Sequence, residues 1–394
     1  MEEPTKTPST FCENIPALFS SFVDTFIDFS VSGLFLPPKP TISTPQKTVY
    51  SSPNRLIAIG DLHGDLYKSK QAFRLAGLID LNDHWCGGNT TVVQVGDVLD
   101  RGNDEIKILY FLEKLKRESL KCGGELITMN GNHEIMNVDG DFRYVTKMGL
   151  NEFRVWASWY CVGNVMKCLC NGVLEDGMKD LFDGVPLNFP GVRPEIVDAV
   201  RARVAALRPN GPIAKRFLTT NVTVLVVGDS VFVHGGLLPQ HVGYGLERIN
   251  EEVRDWIGGL KERVSSELVR GRNSLVWLRR FSDELAKNCE CSTLEHVLAT
   301  IPGAKRMIMG HTIQEKGING VCDNKAIRID VGMSRGCTNG LPEVLEINGK
   351  SEVRILTSNA LYRNGYNSST ETDVTKGIGF VIPQHGHDQV EVKA

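Results

Sequence analysis

The sequence predicts an α/β fold gathered around one polar pocket, and a pattern repeated three times carries that prediction. Leu56-Ile57-Ala58-Ile59 runs into Gly60-Asp61-Leu62-His63-Gly64-Asp65, and Val92-Val93-Gln94-Val95 runs into Gly96-Asp97-Val98-Leu99-Asp100-Arg101-Gly102. Leu126-Ile127-Thr128-Met129 then leads to Gly131-Asn132-His133-Glu134. Short apolar runs are how buried parallel strands read. In open α/β sheets the loops beyond the carboxyl ends of such strands build the site. Segments of helical periodicity separate the runs, so the order is strand, helix, strand, helix, strand.

Taken in order, residues 1–53 form an N-terminal extension rich in Pro, Ser and Thr. Within it Leu18, Phe19, Phe22, Val23, Phe26 and Ile27 fall at helical spacing, with Pro16 near the start and Asp24 and Asp28 on the other side. This predicts a short amphipathic helix packed back on the main domain. The alternative is a docking helix for a partner or a membrane, and its acidic face argues against anionic lipid. The main domain spans 54–361. Its first helix covers Tyr67 to Gly77, with Gly77 at the C-cap. The second covers Ile106 to Leu120, where Ile106, Leu109, Tyr110, Leu112 and Leu115 form the buried stripe.

Residues 135–221 are read as a mostly helical insertion over the pocket. Strands resume at Thr223–Val227 and Val231–Val233, the latter ending in His234-Gly235-Gly236-Leu237-Leu238-Pro239. A helical stretch from Leu246 to about Leu268 follows. Two further strands end in Gly310-His311-Thr312 and in Asp330-Val331-Gly332. Glu343–Ile347 and Val353–Leu356 flank Asn348-Gly349 as a hairpin. Residues 362–394 are read as a polar, loosely ordered tail.

Composition excludes several classes. At 394 residues, 41% apolar and 23% charged, the chain can bury a large core. A formal charge of −3 gives no reason to expect nucleic acid as a partner. No run of 18 apolar residues exists, so no transmembrane segment is expected. The first residues read neither as a secretory leader nor as an Arg-rich transit peptide, so the Asn-x-Ser/Thr matches at Asn89, Asn221 and Asn367 carry little weight.

The strand ends deliver Asp61, His63, Asp97, Asn132, His234 and His311. Oxygen and imidazole donors without thiolate suit manganese, iron or zinc better than magnesium or calcium. Six donors exceed what one tetrahedral ion needs, so two ions sharing a carboxylate is the economical reading. Two such ions, about 3.5–4 Å apart, suit in-line phosphoryl displacement. Any one of these residues alone would be read as structural, as His84, His241 and His296 are.

The motifs GDLHGD, GDVLDRG, GNHE, HGGLLP and GHT, in this order, resemble the signature of the phosphoprotein phosphatase family within the calcineurin-like metallophosphoesterases. The resemblance covers roughly Arg55 to Leu356. The insertion after GNHE, Trp277-Leu278-Arg279 and Ile329-Asp330-Val331-Gly332 resemble the bacterial-type branch, in particular the plant Shewanella-like protein phosphatases of the non-chloroplast type. The resemblance implies a calcineurin-like fold: a central β-sandwich flanked by helices. It implies a metal-dependent protein phosphatase acting on phosphoserine and phosphothreonine, with phosphotyrosine open, by direct attack of a metal-bridging hydroxide.

It also implies roles. Asp61 and His63 hold one divalent metal ion, Asp97 bridges, and Asn132, His234 and His311 hold the second, with manganese expected first and iron or zinc as alternatives. His133 is the general acid and Asp100 orients it. Arg101, Arg279 and Asn132 bind the substrate phosphate, and Asp330 lines the pocket. The SAPNYC motif usual in eukaryotic relatives is absent, which implies resistance to the natural toxins that contact it. Rival readings are a dinucleoside polyphosphate hydrolase and, from another class, an inactive phosphoprotein-binding module.

Cys168-Leu169-Cys170 and Cys289-Glu290-Cys291 each pair two thiols across one residue. They read as free thiols in a reducing cytosol, or as a redox-sensitive bridge within or between the two segments. The spacing is not the usual one for zinc. The expected partners are phosphoprotein substrates, with a redox or docking partner reached through these cysteines or the N-terminal helix. The expected location is the cytoplasm, and a bridge would favour the mitochondrial intermembrane space.

Overall fold

β2 (Arg55–Ile59), β3 (Thr91–Gln94) and β4 (Glu125–Thr128) lie side by side and parallel, each nearly all buried. Parallel neighbours require crossovers, and α2 (Leu66–Leu75) and α3 (Glu105–Lys121) supply them. β10 (Glu343–Asn348) pairs antiparallel with β2, and β11 (Val353–Thr357) pairs antiparallel with β10. β12 (Gly379–Val381) adds a parallel edge to β11, completing a six-stranded sheet. The structure is a computed structural model and describes residues 15–36, 47–171, 180–283, 285–349, 351–359 and 379–381.

The second six-stranded sheet has the order β1 (Val49–Tyr50), β5 (Val224–Val227), β6 (Ser230–Val233), β7 (Arg306–Met309), β9 (Ala326–Arg328), β8 (Asn319–Val321). Its centre repeats the logic of the first, since β6, β7 and β9 are mutually parallel. Side chains of both sheets join one apolar core. Two parallel triplets therefore send six strand ends toward one place.

Between β4 and β5 the described residues form α4 (Asn132–Val138), α5 (Lys147–Asn171), α6 (Val197–Leu207) and α7 (Pro212–Phe217). The expected helix from Leu246 to Leu268 is broken: α9 (Leu246–Ile257) stops at Gly258-Gly259, where Gly259 takes φ +73°, and α10 (Ser266–Val269) restarts the turn. Two helices went unpredicted, α8 (Pro239–Tyr244) and α11 (Cys291–Thr300).

The N-terminal helix α1 (Ile15–Ser32) does pack back, against α5 and α3. It is rolled relative to expectation. Val23 and Ile27 are buried, whereas Leu18, Phe22 and Phe26 are exposed. The cause is Asp28, placed on the solvent side by the sequence reading. It is buried and takes a bidentate fork from Arg216 at 2.6 and 2.7 Å. A buried carboxylate must be paired, and pairing it fixes the roll. Gly163 on α5 allows the contact, because a Cβ there would sit 2.0 Å from Ile27 Cδ1.

Two further expectations need correction. The tail 362–394 contributes the edge strand β12, and the rest of it lies outside the described residues. The cysteine bridge joins neither Cys-x-Cys pair internally. Cys291, at the start of α11, is bonded to Cys322 in the turn after β8. Cys289 is a buried free thiol and Cys168 a half-buried one, while the Cys170 side chain lies outside the described residues.

Candidate active site

The ends of β2, β3 and β4 face those of β6, β7 and β9, and the structure brings together every candidate donor. At the β3 end Asp97, Asp100 and Arg101 adopt left-handed backbone, with φ +53°, +67° and +63°. His63 and His311 do the same at +44° and +67°. Such conformations are costly for non-glycine residues and persist only where surroundings impose them. Each is held at its N–H: Asp100 by Glu105 Oε2 (2.9 Å), Arg101 by Tyr144 O (3.0 Å), His63 by Asp97 O (2.9 Å), His311 by Asp61 (3.2 Å), and Asp97 by Glu134. Fully buried, its Oε2 accepts the N–H groups of Asp97 (2.8 Å) and Gly131 (2.7 Å), and its Oε1 those of Val98 (2.9 Å) and Leu99 (3.1 Å). Gly131 has no alternative, since a Cβ would meet Asp97 Oδ1 at 2.2 Å.

Asp97 is the hub. Its Oδ2 lies 3.2 Å from His234 Nε2, 3.6 Å from His63 Nε2 and 3.8 Å from His133 Nε2. The imidazoles are aimed by their other nitrogens: Nδ1–H of His63 donates to Leu99 O and that of His234 to Val95 O, both at 3.0 Å. That arrangement, assigned from the hydrogen bonds, leaves Nε2 lone pairs facing the pocket. Asn132 Oδ1 also points at His234 Nε2, at 2.9 Å. Asp61 accepts the His311 N–H at 3.2 Å, while His311 Nε2 is buried without a hydrogen-bond partner.

These contacts test whether cations fit. Acceptors from Asp97, Asn132 and His234 converge with no donor among them. Burial, followed by the charges of Asp330 and Asp97, pushes Asp61 well above the usual carboxylate range. Asp330, also lining the pocket, is pushed up to about 6, chiefly by burial. Burial pushes His234 down, and the Asp97 carboxylate more than reverses it. The field that attracts a proton there would attract a cation. Among the described residues, His63, Asp97 and His133, and Asp97, His234 and His311, each bring ligand atoms within 4.8 Å of one another, with Asp97 in both sets. The donors fit divalent metal ions.

His133 faces a different partner. Its Nδ1–H donates to Asp100 Oδ2 at 2.6 Å, which leaves Nε2 toward the pocket. The cavity holds about 240 Å³. Its rim carries Arg101, whose guanidinium lies 4.8 Å over the Tyr144 ring and whose buried Nε has no hydrogen-bond partner. Arg279 donates from Nη1 to His311 O (3.1 Å) and Thr312 Oγ1 (2.8 Å), leaving its other N–H groups for a ligand. A larger cleft of about 740 Å³ lies at the opposite ends of β7 and β9, where Lys325 pairs with Glu295 at 2.6 Å and Lys305 and Arg306 pair with Asp229 at 3.4 and 3.3 Å. It gathers none of the chemistry above.

The three histidines set aside lie outside the pocket. His241 is buried and accepts the Leu238 N–H at Nδ1 (3.0 Å), His84 pairs with Glu118, and His296 is exposed. The sequence reading missed the residues behind Asp100. Its Oδ1 accepts from Asn137 and from Arg203, both at 2.9 Å, and Arg203 also grips Glu105. Asn137 follows GNHE closely, but Arg203 stands in an ordinary-looking helix with no motif around it.

The comparisons agree with the geometry. Residues 54–315 match the calcineurin-like phosphoesterase family. Shewanella-like protein phosphatase 2 of Arabidopsis thaliana is 63% identical over 391 residues, covering 99% of each chain. Shewanella-like protein phosphatase 1 of Plasmodium berghei (strain Anka) is 29% identical over 298 residues, 73% of this chain and 69% of that one. A solved cold-active protein tyrosine phosphatase shares the fold, with a TM-score of 0.55 at 20% identity over 79% of this chain and 80% of its own. The cold-active enzyme of a psychrophilic Shewanella species superposes with a TM-score of 0.54 at 19% identity, over 82% of this chain and 87% of its own. With that hub-and-dyad pocket and a relative matched end to end, the chain belongs to the calcineurin-like phosphoesterases and, within them, to the Shewanella-like protein phosphatases.

Proposed function

We propose that this phosphatase hydrolyses phosphoserine and phosphothreonine in proteins, with phosphotyrosine as a further candidate, through the dyad of His133 and Asp100. The observation that carries the reading is the 2.6 Å bond between them, which turns His133 Nε2 toward the cavity beside Asp97. Asp61, His63 and Asp97 would hold one cation, and Asp97, Asn132, His234 and His311 a second, with manganese first among the candidates and iron or zinc next. When bound, the pair supplies Lewis acidity and water of lowered pKa.

The chain's own residues do the rest. Arg101 and Arg279 grip phosphate oxygens, and the Asn132 amide lies beside them. Water adds its oxygen to phosphorus, keeping one hydrogen and releasing the other proton to solvent, as the bond to the side-chain oxygen breaks; His133 Nε2–H passes its proton to the departing oxygen and regains one from solvent. The products are the free hydroxyl side chain and inorganic phosphate. Burial lowers the His133 pKa, but the Asp97 and Asp100 carboxylates more than offset it, so the ring is held above its ordinary range as a proton donor.

A phosphopeptide panel assayed with and without manganese, beside dinucleoside tetraphosphate, tests the function. Faster phosphopeptide turnover supports it. Preference for the dinucleotide, or no turnover of either, selects the rival hydrolase or the binding module. His133→Asn tests the acid: retained metal with most turnover lost is expected, and a wild-type rate refutes the assignment. The bridge between Cys291 and Cys322 supports residence in an oxidising compartment, such as the mitochondrial intermembrane space, over the cytosol. Non-reducing peptide mapping of protein from its native compartment tests this, and free thiols at both positions would favour the cytosol.

A further inference from the structure

Arg203 belongs to α6, in the helical insertion, yet it reaches the dyad. Its side chain is fully buried. Nη2 donates to Asp100 Oδ1 at 2.9 Å and to Glu105 Oε2 at 2.6 Å, Nη1 to Glu105 Oε1 at 3.0 Å, and Nε to Asn137 Oδ1 at 2.7 Å. The guanidinium lies 4.4 Å over the ring of Phe153 on α5. Asn137 completes the frame by donating from Nδ2 to Asp100 Oδ1 at 2.9 Å and to His133 O at 2.8 Å.

The frame solves a problem of geometry. Asp100 is a short side chain on a left-handed backbone, held at its N–H by Glu105 Oε2 at 2.9 Å. A carboxylate anchored only by His133 would rotate about its own bonds and let the imidazole tilt. With Oδ1 fixed by two N–H donors, Oδ2 has one direction left, toward His133 Nδ1. Asp100 and Glu105 are also both fully buried, and their charges repel unless a cation lies between them. A planar fork satisfies both carboxylates and the Asn137 carbonyl at once, which a lysine ammonium does not reproduce.

We infer that Arg203 is a positioning residue for proton transfer: through Asp100 it fixes the orientation of His133, and so makes the helical insertion part of the catalytic apparatus. The inference rests on the general-acid reading of His133. It gives the insertion a task besides covering the pocket, because α5 and α6 hold Arg203 while α4 carries His133 and Asn137.

The test exploits leaving groups. A serine, threonine or tyrosine oxygen needs a proton as it departs more than p-nitrophenolate does, which is stable as the anion. Wild type, His133→Asn, Arg203→Met and Arg203→Lys are compared on the phosphopeptide the wild type turns over fastest and on p-nitrophenyl phosphate, with manganese. Each ratio of kcat values comes from one preparation, so it is independent of the folded fraction. The expected result for Arg203→Met is a fall in peptide kcat on the order of 100-fold with KM little changed, and a fall in p-nitrophenyl phosphate kcat under about 10-fold. Arg203→Lys, which retains the buried charge if the methionine variant does not fold, should show the same imbalance at about 10-fold.

Equal losses on both substrates in the Arg203 variants, or wild-type rates in Arg203→Lys, overturn the inference while an imbalance in His133→Asn leaves the acid reading standing. No imbalance in His133→Asn overturns the acid reading, and the inference with it.

Discussion

Glu134→Gln isolates the clamp that shapes the pocket. The carboxylate is fully buried, and each oxygen accepts two backbone N–H groups, Asp97 and Gly131 on one side and Val98 and Leu99 on the other. An amide has one acceptor. Whichever way the glutamine turns, two backbone donors face an NH₂ group. Leaving a buried donor unsatisfied costs about 1–3 kcal/mol, so two cost roughly 2–6 kcal/mol. That is a large part of the typical stability of about 5–15 kcal/mol. At about 2 °C per kcal/mol for a chain of this size, Tm should fall by roughly 4–12 °C.

Turnover should fall further than stability alone explains. His133 N–H donates to Asp97 Oδ1 at 3.0 Å, so relaxing the loop moves both the hub and the acid. Misplacement by about 1 Å costs on the order of 100-fold. Thermal unfolding followed by fluorescence, with kcat measured well below Tm, reads both effects. A Tm within 1 °C of wild type, at about the precision of the method, would refute the clamp.

Two further predictions concern stability. His241 has its pKa lowered to about 4 by burial, and its Nδ1 accepts the Leu238 N–H. The unfolded ring takes a proton below its ordinary value of about 6.5, whereas the folded ring stays neutral until about 4, so its contribution is lost as pH falls between those values. The loss amounts to about 3 kcal/mol, and His241→Asn, which can still cap, should flatten the dependence of Tm on pH in that window; an unchanged slope refutes it. Second, the bridge from Cys291 to Cys322 spans a sequence separation of 31 residues, so Cys322→Ser should destabilise by about 3–4 kcal/mol in urea unfolding. Matching midpoints for this variant and the oxidised wild type would contradict it.

The strands that feed the pocket were legible because each is an apolar run stopped by glycine and a polar cluster. β1, β8 and β12 were not, since two or three residues are too few to show alternation. The donors were legible for the same reason as the strands, because they sit where the runs end. Arg203 was not. In Val-Asp-Ala-Val-Arg-Ala-Arg-Val-Ala-Ala-Leu two arginines stand two residues apart, and only the packing of α6 decides which one is buried. Asp28 misled in the opposite sense, because an aspartate on an amphipathic helix reads as solvent-facing until Arg216 is seen opposite it. Cys322 lies too far from Cys291 for any spacing rule to pair them. Glu134 stood in plain view within GNHE, but its work as a backbone acceptor depends on loops that only the fold brings together.

The proposed function turns on Asp97 being shared by two divalent ions. It is tested most directly by counting the manganese bound at saturation, by equilibrium dialysis and elemental analysis, in stripped wild type and in Asp97→Asn that retains its native circular dichroism. Two ions per chain are expected in the wild type, with loss of at least one in the variant. A wild type that saturates with a single ion, or an Asp97→Asn protein that keeps both, would contradict it.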